Sequence, residues 1–149
     1  MKKHKKVIFL DIDGVLNTGG SNHIHGHGTA MDKKCVEVLR KIVEEFNAVI
    51  VISSAWRIGP GILRIKKGLS WVGWDNPPII GKTPNLNLLK ERRGKEIQHW
   101  LSHNPTESYI IIEDEPCDLL KEQFPFLVQP SSTDGLQEKH LQQIRNMWK

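Results

Sequence analysis

Three short apolar runs, residues 7–10 (VIFL), 48–52 (AVIVI) and 109–112 (YIII), carry mostly β-branched or aromatic side chains with no polar alternation. A strand with one face in water alternates, so continuous runs of this length fit strands covered on both faces. Between the first two, Val36, Leu39, Ile42, Val43 and Phe46 recur at helical spacing after Asp32, a favourable N-cap, and predict a helix over 32–46. Ile97, Trp100 and Leu101 mark a second apolar stripe over 94–103, which Asn104-Pro105 closes ahead of the third run. A short helix over 118–123, a small strand at 126–128 and a closing helix over 135–148 follow. This alternation predicts an α/β fold: one doubly wound, Rossmann-like domain over 1–149, with a mainly parallel sheet, helices on both faces and right-handed crossovers.

Two stretches fit that scheme poorly. Residues 18–29 are rich in glycine and histidine, and residues 58–89 mix glycine, proline and tryptophan around one plausible helix near 62–69. Both are predicted to be flaps and loops over a site, too small for an independent cap domain. His23, His25 and His27 alternate, but no cysteine or acidic cluster accompanies them locally, so a flap is expected rather than a zinc site. Trp71 and Trp74 are expected to pack in the core rather than stack on a base.

Composition narrows the function classes. The chain of 149 residues is long enough to bury a core without disulfides, and its two cysteines, Cys35 and Cys117, lie in no paired or metal-ligand spacing. Reduced thiols and a cytoplasmic location are therefore expected. The basic N-terminus precedes an apolar run too short for a secretory core, and no segment approaches the roughly 20 apolar residues that cross a bilayer. A net charge of +4, concentrated at Lys2–Lys6 and 64–67, is compatible with anionic partners without requiring them.

Chemistry sits where the three apolar runs end. The first leads into Asp11-Ile12-Asp13, the second into Ser53-Ser54, and the third into Glu113-Asp114-Glu115. In a parallel sheet these ends share one edge, and open α/β sheets bind ligands outside the carboxyl ends of their strands. An isolated D-x-D-G is more often a turn. Here the full string Phe9-Leu10-Asp11-Ile12-Asp13-Gly14-Val15-Leu16-Asn17 resembles the first motif of phosphatases of the haloacid dehalogenase (HAD) superfamily. Ser53 resembles the second-motif hydroxyl, Lys95 or Arg93 the third-motif cation, and Asp114 with Asp118 the fourth-motif acids. Ser53-Ser54-Ala55-Trp56-Arg57, 93–97 with Trp100-Leu101, and Gly135-Leu136 look like a compact HAD group associated with nucleic-acid repair proteins.

The resemblance implies a HAD-like domain with a minimal cap that hydrolyses phosphomonoesters. Asp11 would attack phosphorus to form an aspartyl-phosphate, and Asp13 would protonate the leaving oxygen and later deprotonate water. Ser53 would hydrogen-bond a phosphoryl oxygen, with Ser54 as alternate; Arg57 and Gly14 would meet the substrate, Gly14 also easing the turn. Lys95 is the first choice for the cation beside Asp11, Arg93 the second. Mg²⁺ is the expected cofactor, with Asp11, Asp13, Asp114 and Asp118 as candidate ligands and a backbone carbonyl and phosphate oxygen completing the shell. The string at 113–118 departs from the usual fourth motif at Glu113, which leaves open whether Glu113 or Asp118 joins that shell. An open site suits nucleotide or nucleic-acid ends. A small-metabolite phosphatase and a non-catalytic module binding nucleic acid or a partner are the alternatives. The sequence does not address oligomeric state.

Overall fold

The structure, a computed structural model, describes residues 3–18, 31–58 and 61–149. Five strands, β1 (His4–Leu10), β2 (Val49–Ile52), β3 (Ile79–Lys82), β4 (Thr106–Ile112) and β5 (Leu127–Val128), form an all-parallel sheet in the order β3-β2-β1-β4-β5. The helices are α1 (Lys33–Phe46), α2 (Gly61–Trp71), α3 (Arg92–His103) and α4 (Glu138–Met147). The chain builds outward from β1 to β3, then crosses back through α3 to place β4 on the other side of β1. That reversal puts the topological switch point between β1 and β4.

The lack of polar alternation in the strands follows from this arrangement. Val7 and Phe9 face a core with Val51, Ile97, Trp100 and Ile111, under α3. Ile8 and Leu10 face the larger core, with Leu39 and Ile42 of α1, Ile65 and Leu69 of α2, and Leu141 and Ile144 of α4. Over Val7–Leu10 both faces of β1 are covered, so apolar residues are required at these successive positions. Helix α1 starts where Asp32 accepts hydrogen bonds from Lys34 N (2.9 Å) and Cys35 N (3.3 Å), and it ends at Asn47 in the left-handed conformation, φ 51°.

The expected α/β architecture with a parallel sheet is present, and departures from the expected elements have local causes. β3 lies inside the stretch read as loops. It is a four-residue edge strand whose residues are alternately half-buried and exposed, and it contains Gly81 and Lys82, so it has no apolar run. β1 and β4 begin three residues earlier than the apolar runs, where His4 and Lys6 pair with Thr106 and Ser108. The helix expected over 118–123 is replaced by two 3₁₀ segments, Pro116–Asp118 and Lys121–Phe126; Pro125 within the second lacks the N–H that an α-helix would use there. Helix α4 starts at Glu138 rather than 135, because Gly135 closes a turn at φ +69° with its N–H on Ser131 O (2.7 Å). Trp74 is buried as expected, whereas Trp71 is 85% exposed and leaves the core to its neighbours. The glycine-histidine flap with His23, His25 and His27 lies outside the described residues, apart from Thr18.

One contact fixes where α3 begins. Gln123 Nε2 donates to Gly94 O (2.9 Å), its Oε1 accepts from Leu120 N (2.9 Å), and all three residues are buried. A Cβ at position 94 would lie 2.5 Å from Leu120 N and 2.6 Å from Gln123 Oε1. Gly94→Ala is therefore expected to destabilise the fold by roughly 1–3 kcal/mol through overpacking. Urea unfolding should show a lowered midpoint with the slope unchanged; an unchanged midpoint would show that α3 is not seated this tightly.

Candidate active site

The three central strands end in register. Leu10 is level with Ile52 on one side and Ile112 on the other, and the ladder runs one residue further: Ser53 N donates to Leu10 O (2.8 Å) and Asp11 N to Ile112 O (3.1 Å). Thr83 N donates to Ile52 O (3.0 Å) and Glu113 N to Val128 O (3.2 Å). Thr83, Ser53, Asp11 and Glu113 thus stand in one row across the carboxyl edge of the sheet, all buried.

Charge is concentrated at the switch point. Ligand atoms of Asp11, Glu113 and Asp114 all lie within 4.8 Å of one another. Arg93 answers them from the first turn of α3: its Nη1 is 3.2 Å from Asp11 Oδ1 and hydrogen-bonds Glu113 Oε2. A cation in the first turn of a helix opposes the macrodipole, so its position needs compensating acids, and Arg93 finds two. Burial lowers the pKa of Arg93, but the charges of Glu113 and Asp11 outweigh it and the net direction is upward. Burial, then repulsion from Glu113, pushes the Asp11 carboxyl up to about 9, against the pull of Arg93. Glu113 is also raised, again by burial first. One guanidinium faces several acids here, so burial and mutual repulsion prevail over its attraction and both carboxyl groups are shifted upward. A hard divalent cation, which prefers carboxylate oxygens, fits the same place.

Gly14 makes the close approach of Asp114 possible. Its φ is +79°, and a Cβ there would sit 2.2 Å from Asp114 Oδ2. Its N–H is occupied by Asn17, bonding both the carbonyl (2.9 Å) and Oδ1 (3.1 Å), so it does not offer the substrate contact expected of it. Asp13 and Asp118 lie outside the acidic group, to which Glu113 belongs; Asp118 is exposed on the 3₁₀ segment beyond it. Lys95, the expected cation, is half-exposed with Nζ 4.0 Å from Glu91 Oε1, and Arg93 stands beside Asp11 instead.

Among the described residues, Ser53 Oγ is the single buried side-chain polar atom without a hydrogen-bond partner. A buried orphan hydroxyl costs about 1–3 kcal/mol unless a ligand satisfies it. Ser54 does different work: its Oγ accepts from Trp56 N (3.3 Å) and caps the 3₁₀ turn Ala55–Arg57. Arg57 is not presented to a substrate. It is 3% exposed, donates from Nη2 to both oxygens of Glu96 (3.0 Å each), from Nε to Thr83 O (3.2 Å) and from Nη1 to Ser54 O (2.7 Å). Leu86 N completes the shell of Glu96 (3.0 Å). Glu96, which lay in the 93–97 string with no role of its own, thereby braces the end of β2 against α3.

Asp13 is exposed, and its Oδ1 accepts from Asn17 Nδ2 (2.9 Å) and Trp56 Nε1 (3.0 Å). Both donors lie in the motif strings read from the sequence, but nothing in those strings says that they meet on one oxygen.

A match to the family model described as the HAD domain in Swiss Army Knife RNA repair proteins covers residues 7–141. The chain belongs to this family. The HAD resemblance read from the first motif is thus confirmed, and a HAD domain points to a phosphatase-type hydrolase. The HAD domain's matched span covers all five strands except the start of β1, and it ends inside α4. No curated protein and no solved structure matches the chain. No helix among the described residues is long and apolar enough to cross a membrane.

Two outcomes follow from the electrostatics. Glu96→Ala would leave Arg57 buried and unpaired, an expected loss of about 3–5 kcal/mol, measured by denaturant unfolding; a loss under 1 kcal/mol would show the brace to be dispensable. In chelator, a carboxyl raised from roughly 4 to about 9 stabilises the fold fully at low pH and less as pH rises through that window. The melting temperature should therefore fall with pH, more steeply in wild type than in Asp11→Asn, and added divalent cation should raise it more at pH 8 than at pH 5.

Proposed function

We propose that the protein is a Mg²⁺-dependent phosphomonoester hydrolase in which Asp11 is the nucleophile and Asp13 the general acid/base. The observation that carries this reading is the buried Asp11 carboxylate held by Arg93 within an acidic group, next in the row to a Ser53 hydroxyl that has no hydrogen-bond partner among the described residues. Asp11 and Asp114, with Glu113 adjacent, would hold Mg²⁺, which supplies positive charge to phosphoryl oxygens that carboxylates alone would repel. Arg93, rather than Lys95, would neutralise charge between nucleophile and phosphate, and Ser53 would donate to a phosphoryl oxygen. The departure at Glu113 from the usual fourth motif then has a role: it anchors the cation.

The favoured substrate is the terminal phosphate of a nucleotide or polynucleotide. Two features support it: the family is described by its occurrence in RNA repair proteins, and basic residues are abundant, 21 Lys and Arg against 17 acids. The test is release of inorganic phosphate from mononucleotides, sugar phosphates and 5′- and 3′-phosphorylated oligonucleotides, with Mg²⁺ and with chelator. Metal-dependent turnover that Asp11→Asn lowers by on the order of 10³-fold or more is the expected result. Preference for sugar phosphates would move the assignment to small metabolites. Salt-sensitive oligonucleotide binding without any turnover would replace it with a binding module.

A further inference from the structure

Asp13 is held in an unusual way for an exposed carboxyl group. Its Oδ1 receives two N–H donors, Asn17 Nδ2 at 2.9 Å and Trp56 Nε1 at 3.0 Å. Asn17 Oδ1 accepts from Gly14 N, which fixes the orientation of the Asn17 amide, and an indole N–H can only donate. A carboxyl oxygen facing two donors cannot also carry a proton without placing hydrogen against hydrogen. Among the described residues, no hydrogen bond reaches Oδ2. The indole itself is immobilised. Trp56 is buried on the 3₁₀ turn Ala55–Arg57, Ser54 Oγ caps that turn, the buried Arg57–Glu96 pair anchors its end, and the Arg64 guanidinium lies 4.0 Å from the ring centroid. A cation over the ring draws electron density toward its face and strengthens the indole N–H as a donor.

We propose that Trp56 is a positioning residue for proton transfer: with Asn17 it occupies Oδ1 of Asp13 and confines the exchangeable proton to Oδ2. The inference rests on the phosphatase reading above and deepens it. In the first step an Asp11 oxygen bonds to phosphorus, the ester P–O bond breaks, and its electron pair goes to the leaving oxygen. That oxygen takes the proton from Oδ2, so the alcohol leaves neutral and Asp13 becomes a carboxylate. In the second step water gives a proton to Oδ2 as its oxygen bonds to phosphorus. The bond between Asp11 and phosphorus breaks, and its electron pair returns to the Asp11 carboxylate. Without the indole N–H, a proton on Oδ1 becomes competitive, and only one of the two arrangements delivers it to the leaving group.

Leaving-group dependence separates this role from a packing role. Two variants are compared with wild type: Trp56→Phe, and a protein in which β-(3-benzothienyl)alanine replaces Trp56, keeping the bicyclic shape while sulfur takes the place of N–H. The quantity read is kcat/KM, because it reports the step in which the ester bond breaks. For an alkyl ester such as a nucleoside 5′-monophosphate it is expected to fall about tenfold or more, within the range general acid catalysis supplies. For 2,4-dinitrophenyl phosphate, whose leaving group departs without a proton, it should stay within about twofold. Thermal melts check that the isosteric variant is folded. Equal losses on both esters, or no loss on either in the isosteric variant, would overturn the role of Trp56 while wild-type turnover leaves the phosphatase reading standing. Wild type active on the dinitrophenyl ester alone would overturn it as well, since no proton delivery would be at work. Wild type inactive on both esters would sink the phosphatase reading and this inference with it.

Discussion

The site depends on one constraint, the common level at which β1, β2 and β4 end. Leu10, Ile52 and Ile112 are register partners, and the backbone hydrogen bonds continue one residue past them. Because every strand is parallel and the central ones are covered on both faces, none can slip along another without carrying apolar side chains out of two cores at once. The row that follows therefore inherits its alignment from the sheet. Asp11, Ser53 and Glu113 need no loop of their own to bring them together, and the switch between β1 and β4 leaves space in front of them.

Within that row the dominant problem is an excess of negative charge. Asp11, Glu113 and Asp114 crowd together, and among the described residues Arg93 is the one guanidinium bonded to the first two. Desolvation sharpens their repulsion, so the arrangement is costly until positive charge is added or a proton retained. Such a group is a poor choice for stability and a good one for drawing in a cation together with an anionic substrate. Gly14 is part of the same solution, since its bare Cα admits the Asp114 carboxylate where any side chain would exclude it.

Much of this was legible in the sequence, and the limits are instructive. The apolar runs located β1, β2 and β4, and the residues after them located Asp11, Asp13, Ser53 and Asp114, because burial on both faces imposes a pattern that one chain displays by itself. β3 left no such trace: an edge strand needs apolar residues on one face only, and four residues with a glycine are too few to show it. The choice between Arg93 and Lys95 depended on helix phase, two residues apart being about 200° around α3, which moves a side chain to nearly the opposite face. Arg57 was misread for a related reason. A guanidinium looks the same in a sequence whether it meets a substrate or Glu96 39 positions later. Trp56 lay within a string already singled out, but its bond to Asp13 spans 43 positions and belongs to tertiary structure alone.

The pairing of Arg57 with Glu96 also bears on how the molecule can breathe. It joins the turn after β2 to α3, with Leu86 N and the carbonyls of Ser54 and Thr83 drawn into the same buried knot. Any local opening that parts these segments must bring two opposite charges apart in a medium with little water, so such fluctuations approach global unfolding in free energy. Ser53 on one segment and Arg93 on the other therefore share a single cooperative unit. The half of the site built to meet negative charge is set before any ligand arrives, and whatever motion admits a ligand has to be taken up by other parts of the chain.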